Sequence, residues 1–132
     1  MKDYSGAISD FDEALKLDPN NSLAIGNRGK IKTDLKEYKE AIKDLNKAID
    51  LNPNFAQAFY NRGRSQYFLN NYSAAIKDFK NAIKIDPNLS MAYYNLGVIK
   101  AKENNKKDAC RYWGKGSDLG NAESKKAINL LC

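Results

Sequence analysis

The sequence predicts an all-α fold in which short helical hairpins stack one on the next, and three observations carry that reading. Asp18-Pro19-Asn20, Asn52-Pro53-Asn54 and Asp86-Pro87-Asn88 recur at intervals of 34 residues. A fixed period of this size marks a repeat array, whose units bury their apolar faces only by stacking. At the same period Ala7, Ala41, Ala75 and Ala109 fall in one column, Phe11, Leu45, Phe79 and Trp113 in a second, and Ala14, Ala48, Ala82 and Gly116 in a third. Within a unit the apolar residues follow spacings of three and four, as in Ala41, Ile42, Leu45, Ala48 and Ile49, which places them on one helical face. No alternating strand pattern competes.

Taken in order, the chain opens with a helix over 4–17 that aligns with 38–51, so it starts in mid-repeat: 1–21 is a partial unit holding a second helix only. Two readings follow, a chain that continues upstream or a helix that serves as an amino-terminal cap. Full units are expected at 22–55 and 56–89, then a divergent unit at 90–121 and a capping helix in 122–132. First helices are expected near 22–35, 56–69 and 90–103, and second helices near 38–51, 72–85 and 106–118. The small Ala columns let two backbones approach, and the large column fills the space between helices. Proline ends each unit because it lacks an N–H and disfavours helix in the residue before it; the Asn that follows is expected to cap the next helix. Gly120-Asn121 replaces the Pro turn, with Gly120 suited to a left-handed helix end, and a last helix near 122–131 puts Ala127, Ile128 and Leu131 on one side.

Composition bounds the function. The 132 residues are 42% hydrophobic and 29% charged, with 3 Pro and 8 Gly, which excludes collagen and low-complexity disorder. No stretch approaches the ~18 apolar residues of a membrane helix, and no membrane partner is expected. Histidine is absent, so triad catalysis and His-containing metal sites are excluded; no Gly-rich phosphate loop appears, and no enzyme activity, cofactor, metal or small-molecule substrate is expected. Net charge is +6. Residues 1–18 carry a balance of −3, whereas 19–96 carry +5 and 97–132 carry +4. That field favours anionic partners, but the lysines are interleaved with acids as on solvated helix faces, so a nucleic-acid site is disfavoured.

Cys110 and Cys132 flank residue 121 symmetrically. In an antiparallel helix pair turning there, the two lie side by side and a disulfide is geometrically allowed, worth about 3 kcal/mol in the chain-entropy model. The alternative is two small buried thiols. The compartment follows the same division, cytoplasmic for thiols and extracytoplasmic for a bridge. Three Asn-X-Ser strings, at Asn20, Asn71 and Asn88, read as by-products of Asn-rich turns.

The layout resembles the tetratricopeptide repeat family, on Tyr93…Leu96-Gly97, Phe59…Gly63, Tyr38…Ala41…Leu45…Ala48…Pro53 and Tyr72…Ala75…Phe79…Ala82…Pro87. Departures are Arg28 and Arg62 in place of Leu before Gly, and Lys32, Gln66 and Lys100 in a column that is usually aromatic; each Arg is expected to lay its stem on apolar surface and keep its head wet. Residues 112–123 are similar to the related Sel1-like repeats. The resemblance implies a right-handed α-α superhelix, or solenoid, and a protein-interaction scaffold that binds an extended or helical peptide in a concave groove lined by first helices. Self-association through the open amino-terminal end, and nucleic-acid binding through the basic surface, stand as alternatives.

Carried onto this chain, the groove comprises Asn27, Lys30, Tyr60, Asn61, Arg64, Tyr67, Met91, Tyr94 and Asn95. The Asn column Asn27, Asn61, Asn95 offers both donors and acceptors to an extended backbone, unless each amide pairs with its own helix. Tyr60, Tyr67 and Tyr94 beside Arg64 and Lys30 suit a peptide with apolar and acidic side chains. Phe59 and Tyr93 are assigned to the core, and Phe68 is open between lip and core. Gln57 and Asn61 stand where the family's carboxylate clamp needs Lys and Arg, so no such clamp is expected. A groove of three helices spans roughly 20–30 Å and takes about six to nine extended residues, with affinity on the order of micromolar and weaker at high salt.

Overall fold

The computed structural model describes residues 3–132, and every regular element among them is an α-helix. The elements are α1 (Tyr4–Leu17), α2 (Ser22–Asp34), α3 (Tyr38–Leu51), α4 (Ala56–Phe68), α5 (Tyr72–Ile85), α6 (Ser90–Lys102), α7 (Lys106–Asp118) and α8 (Ala122–Leu131). The chain forms two compact units, Met1–Asp78 and Phe79–Cys132, with the division inside α5.

Two kinds of turn alternate along the chain, each with its own chemistry. At the Pro turns the N–H groups of Asn21, Phe55 and Leu89 donate to the carbonyls of Asp18, Asn52 and Asp86, each at 3.2 Å, with Pro second in the turn where its fixed φ is already right. The expected capping by the Asn after Pro does not occur. Asn21, Phe55 and Leu89 hold the cap positions instead. The residue before Pro does the polar work: Asn52 and Asp86 side chains accept from the N–H groups of Asn54 and Asn88 at 3.2 and 3.1 Å, an arrangement that fixes the turn itself.

The other turns end each first helix one residue earlier than the pattern suggests, because Lys36, Asn70 and Asn104 enter the left-handed region at φ 65, 64 and 61°. There the N–H groups of Glu37, Asn71 and Asn105 reach back to the carbonyls of Lys32, Gln66 and Lys100, all at 2.8 Å, and close the helix end in a Schellman motif. Gly120, at φ +89°, repeats this geometry between α7 and α8, with Asn121 N–H donating to the Gly116 carbonyl. The final two helices are therefore joined as α2 and α3 are joined, by the tight turn and not by a Pro turn.

The core of the first unit gathers Ile25, Ala41, Leu45, Ala48, Ile49 and Ala58, with Leu15, Phe55 and Phe59 packed against them. In the second unit Ala92, Leu96, Ile99, Ala109 and Trp113 are buried. Trp113 lies across Gly97, where a Cβ would collide with the indole Nε1 and Cδ1, and its Nε1 donates to the Tyr94 carbonyl at 3.2 Å. Gly is required at 97 because the largest side chain of the column occupies the space. Cys110 on α7 and Cys132, the C-cap of α8, are joined by a disulfide, with Cα atoms 6.0 Å apart.

Candidate functional site

The first unit holds six of the nine groove candidates. Its α2 and α4 pack as neighbours through a buried hydroxyl pair, Thr33 Oγ1 to Ser65 Oγ at 2.9 Å, with the Thr33 hydroxyl also 3.0 Å from the Gly29 carbonyl. From the positions adjacent to this pair, Arg64 Nη1 meets Asp34 Oδ1 at 3.1 Å. The same nitrogen donates to Asn61 Oδ1 at 3.2 Å, and the guanidinium lies 6.0 Å from the centre of the Tyr60 ring. Tyr60, Asn61 and Arg64 thus converge on one face with Asp34.

Asn61 is not a free amide. It is 2% exposed, and its Nδ2 donates to the Gln57 carbonyl at 2.9 Å. Both ends of the amide are engaged inside the protein, so Asn61 orients Arg64. Lys30 is exposed and Asn27 half-buried, and both line a cleft of ≈ 330 Å³ between α1 and α2, where Tyr4 and Phe11 form the apolar wall and Asp34 is shared with the Arg64 pair. Tyr67 sits at the other end of α4, its ring 5.2 Å from Phe68 and 5.6 Å from Tyr72. Phe68, 52% exposed, stacks on Tyr38 at 5.1 Å and belongs to the surface. Gly26 and Thr33, which share groove columns with Tyr60 and Tyr67, are buried.

Met91, Tyr94 and Asn95 belong to α6 in the second unit. Met91 is exposed, and its sulfur accepts from Asn121 Nδ2 at 3.1 Å. Tyr94 and Asn95 are half-buried.

The structure also gives Arg28, Arg62 and Lys32 acidic partners that the sequence pattern did not single out. Arg28 uses Nε and Nη2 to hold both oxygens of Asp44, at 2.9 and 2.8 Å, and Nη1 to reach Asp12 at 2.8 Å. Arg62 repeats this 34 residues later, holding Asp78 at 3.0 and 2.8 Å and Asn46 at 2.9 Å. Lys32 adds a contact to Asp44 at 3.0 Å. The expected wet Arg heads are paired and mostly covered, with side-chain exposures of 23% and 22%. Two-nitrogen geometry makes these the strong class of ion pair. Hydrogen bonding to the Asp44 carboxylate raises the Arg28 guanidinium above the ordinary arginine range, so Arg28 is charged at any pH the fold survives. The signal was present in the sequence: Arg and Asp 16 residues apart, twice, at the repeat period. Arg64 differs, holding Asp34 through a single nitrogen at longer range.

Sequence profiles described as tetratricopeptide repeat match residues 1–21 and 56–89, and one described as TPR repeat matches 29–68. The chain belongs to the tetratricopeptide repeat family. Among solved structures, a crystal structure of MamA is similar at 27% identity with a TM-score of 0.86, covering 98% of this chain and 77% of that one. A second MamA crystal structure gives 28%, 0.84, 97% and 71%. MamA residues 41 to the end from Desulfovibrio magneticus RS-1 give 27%, 0.79, 88% and 66%. No curated protein matches the chain. These likenesses make this tetratricopeptide protein an all-α helical-repeat interaction scaffold, of a kind whose partners are proteins. Among the described residues no helix is long and apolar enough to cross a membrane.

Proposed function

We propose that this tetratricopeptide protein binds a peptide segment, extended or helical and bearing acidic and apolar side chains, on the α2–α4 face of its first unit. The observation that carries the reading is the Asp34–Arg64–Tyr60 arrangement beside the α1–α2 cleft. It combines a cation fixed in place, aromatic area at low entropic cost and an apolar recess within one surface, the mixture that binding hot spots use. Lys30 supplies a second exposed cation at the cleft. Asn61 acts by holding Arg64 and not by contacting the ligand. Met91, Tyr94 and Asn95 enter the proposal as contacts of the second unit's own surface. Nothing in this scheme requires catalysis, and the protein works by holding its partner.

Selection of nine-residue peptides from a display library against the intact chain, followed by calorimetric titration of the enriched sequence, tests the proposal. Enrichment of Asp and Glu, micromolar affinity and a roughly tenfold loss in Arg64→Gln are expected. Equal affinity for wild type, Arg64→Gln and Tyr60→Ala places the binding surface elsewhere.

A further inference from the structure

The helix that ends the second unit combines little burial with a covalent tie to its neighbour. Helix α3 buries five residues and α6 four, whereas α8 buries one, Ser124, and α1 none. The Ser124 hydroxyl has no hydrogen-bond partner where it lies against Gly116. Leu130 and Leu131 are 81% and 51% exposed. A helix of 10 residues has too little internal stability to persist alone, so its docking depends on what ties it to α7. The Cys110–Cys132 disulfide closes a 22-residue separation across that pair and ties the end of α8 covalently to α7. Cys132 is exposed, while Cys110 is half-buried on α7.

We propose that Cys132 is a site of thiol–disulfide exchange with an external dithiol, and that exchange unlatches α8 from α7. A thiolate of the dithiol attacks the sulfur of Cys132, an exposed residue; the bond to Cys110 breaks, and Cys110 leaves as a thiolate that takes a proton. The second thiol of the reagent then attacks the mixed disulfide and frees Cys132 as a thiol. The dithiol gives two electrons and two protons and departs as its own disulfide, so both protein sulfurs end reduced. With the restraint gone, α8 leaves and takes Leu131 away from the ≈ 220 Å³ cleft that it lines with Trp113, Ala109 and Ala101, and the Trp113 face of α7 becomes wet.

Dithiothreitol treatment of the intact chain without denaturant tests this, with alkylation and mass analysis to count free thiols. Complete reduction should speed amide exchange over residues 122–131 roughly a hundredfold and red-shift the emission of Trp113, the single tryptophan, while exchange in α2–α4 stays unchanged. Cys132→Ser, a change at an exposed position, should reproduce the loosened α8 without reductant. Unchanged protection of 122–131 after full reduction or in Cys132→Ser overturns the proposal. So does a disulfide that yields only when the whole chain unfolds.

Discussion

The two units solve one packing problem with different chemistry. In the first, the position that precedes the periodic Gly is Arg28 or Arg62, and each guanidinium spans to an aspartate on the following helix. In the second, the same column holds Leu96, fully buried, and the column of Asp44 and Asp78 holds Tyr112. Ion pairs of this kind have a narrow advantage: removal of one member strands a covered charge, whereas replacement of both by apolar groups is often neutral. At these columns the first unit is therefore fastened by a paired device that fails asymmetrically, and the second by the volume of an aliphatic and an aromatic side chain.

This contrast is breakable at several points. The largest effect is expected in the second unit, where Trp113→Ala empties the space over Gly97 and should cost about 4 kcal/mol in urea denaturation followed by circular dichroism; a loss below about 1 kcal/mol would show that volume does not hold that unit. Next is Asp78→Ala, which leaves Arg62 without its two-nitrogen partner and should cost about 3 kcal/mol. The double change Arg62→Leu with Asp78→Tyr copies the second unit's residues into the first, and should recover most of that loss, ending within about 1 kcal/mol of wild type. A double variant as damaged as the single one would show that the two units are not interchangeable solutions. The smallest effect lies in the turns: Lys36→Gly relieves a left-handed conformation that Asn70 tolerates better, and should raise the denaturation midpoint by an amount equivalent to about 0.5 kcal/mol.

The fold was largely legible because the repeat forces every column to be written several times. The Pro turns, the Ala columns and the Trp113 substitution each announced themselves by position. The misreadings fall where one residue's partner lies a helix away. Asn54 looked like a cap, but the Asn52 side chain fixes that turn. Arg62 looked like an amphipathic surface residue, because its aspartate stands 16 positions on, beyond any local pattern. Lys36 gave no sign of a left-handed backbone, although Asn70 and Asn104 at the same column did. The candidate site was legible as a set of residue types on first helices and not as a geometry. Sequence alone could not tell that Asn61 is sealed against its own helix, or that Arg64 is already met by Asp34 from α2.

The α2–α4 face of the first unit is the surface proposed to meet a ligand, and amide hydrogen exchange of the intact chain with and without the library-selected nonapeptide tests it most directly. Added protection at residues 27–34 and 60–68, lost in Arg64→Gln, is the predicted result. Protection confined to helices outside that face, or unaltered by the Arg64 substitution, would contradict it.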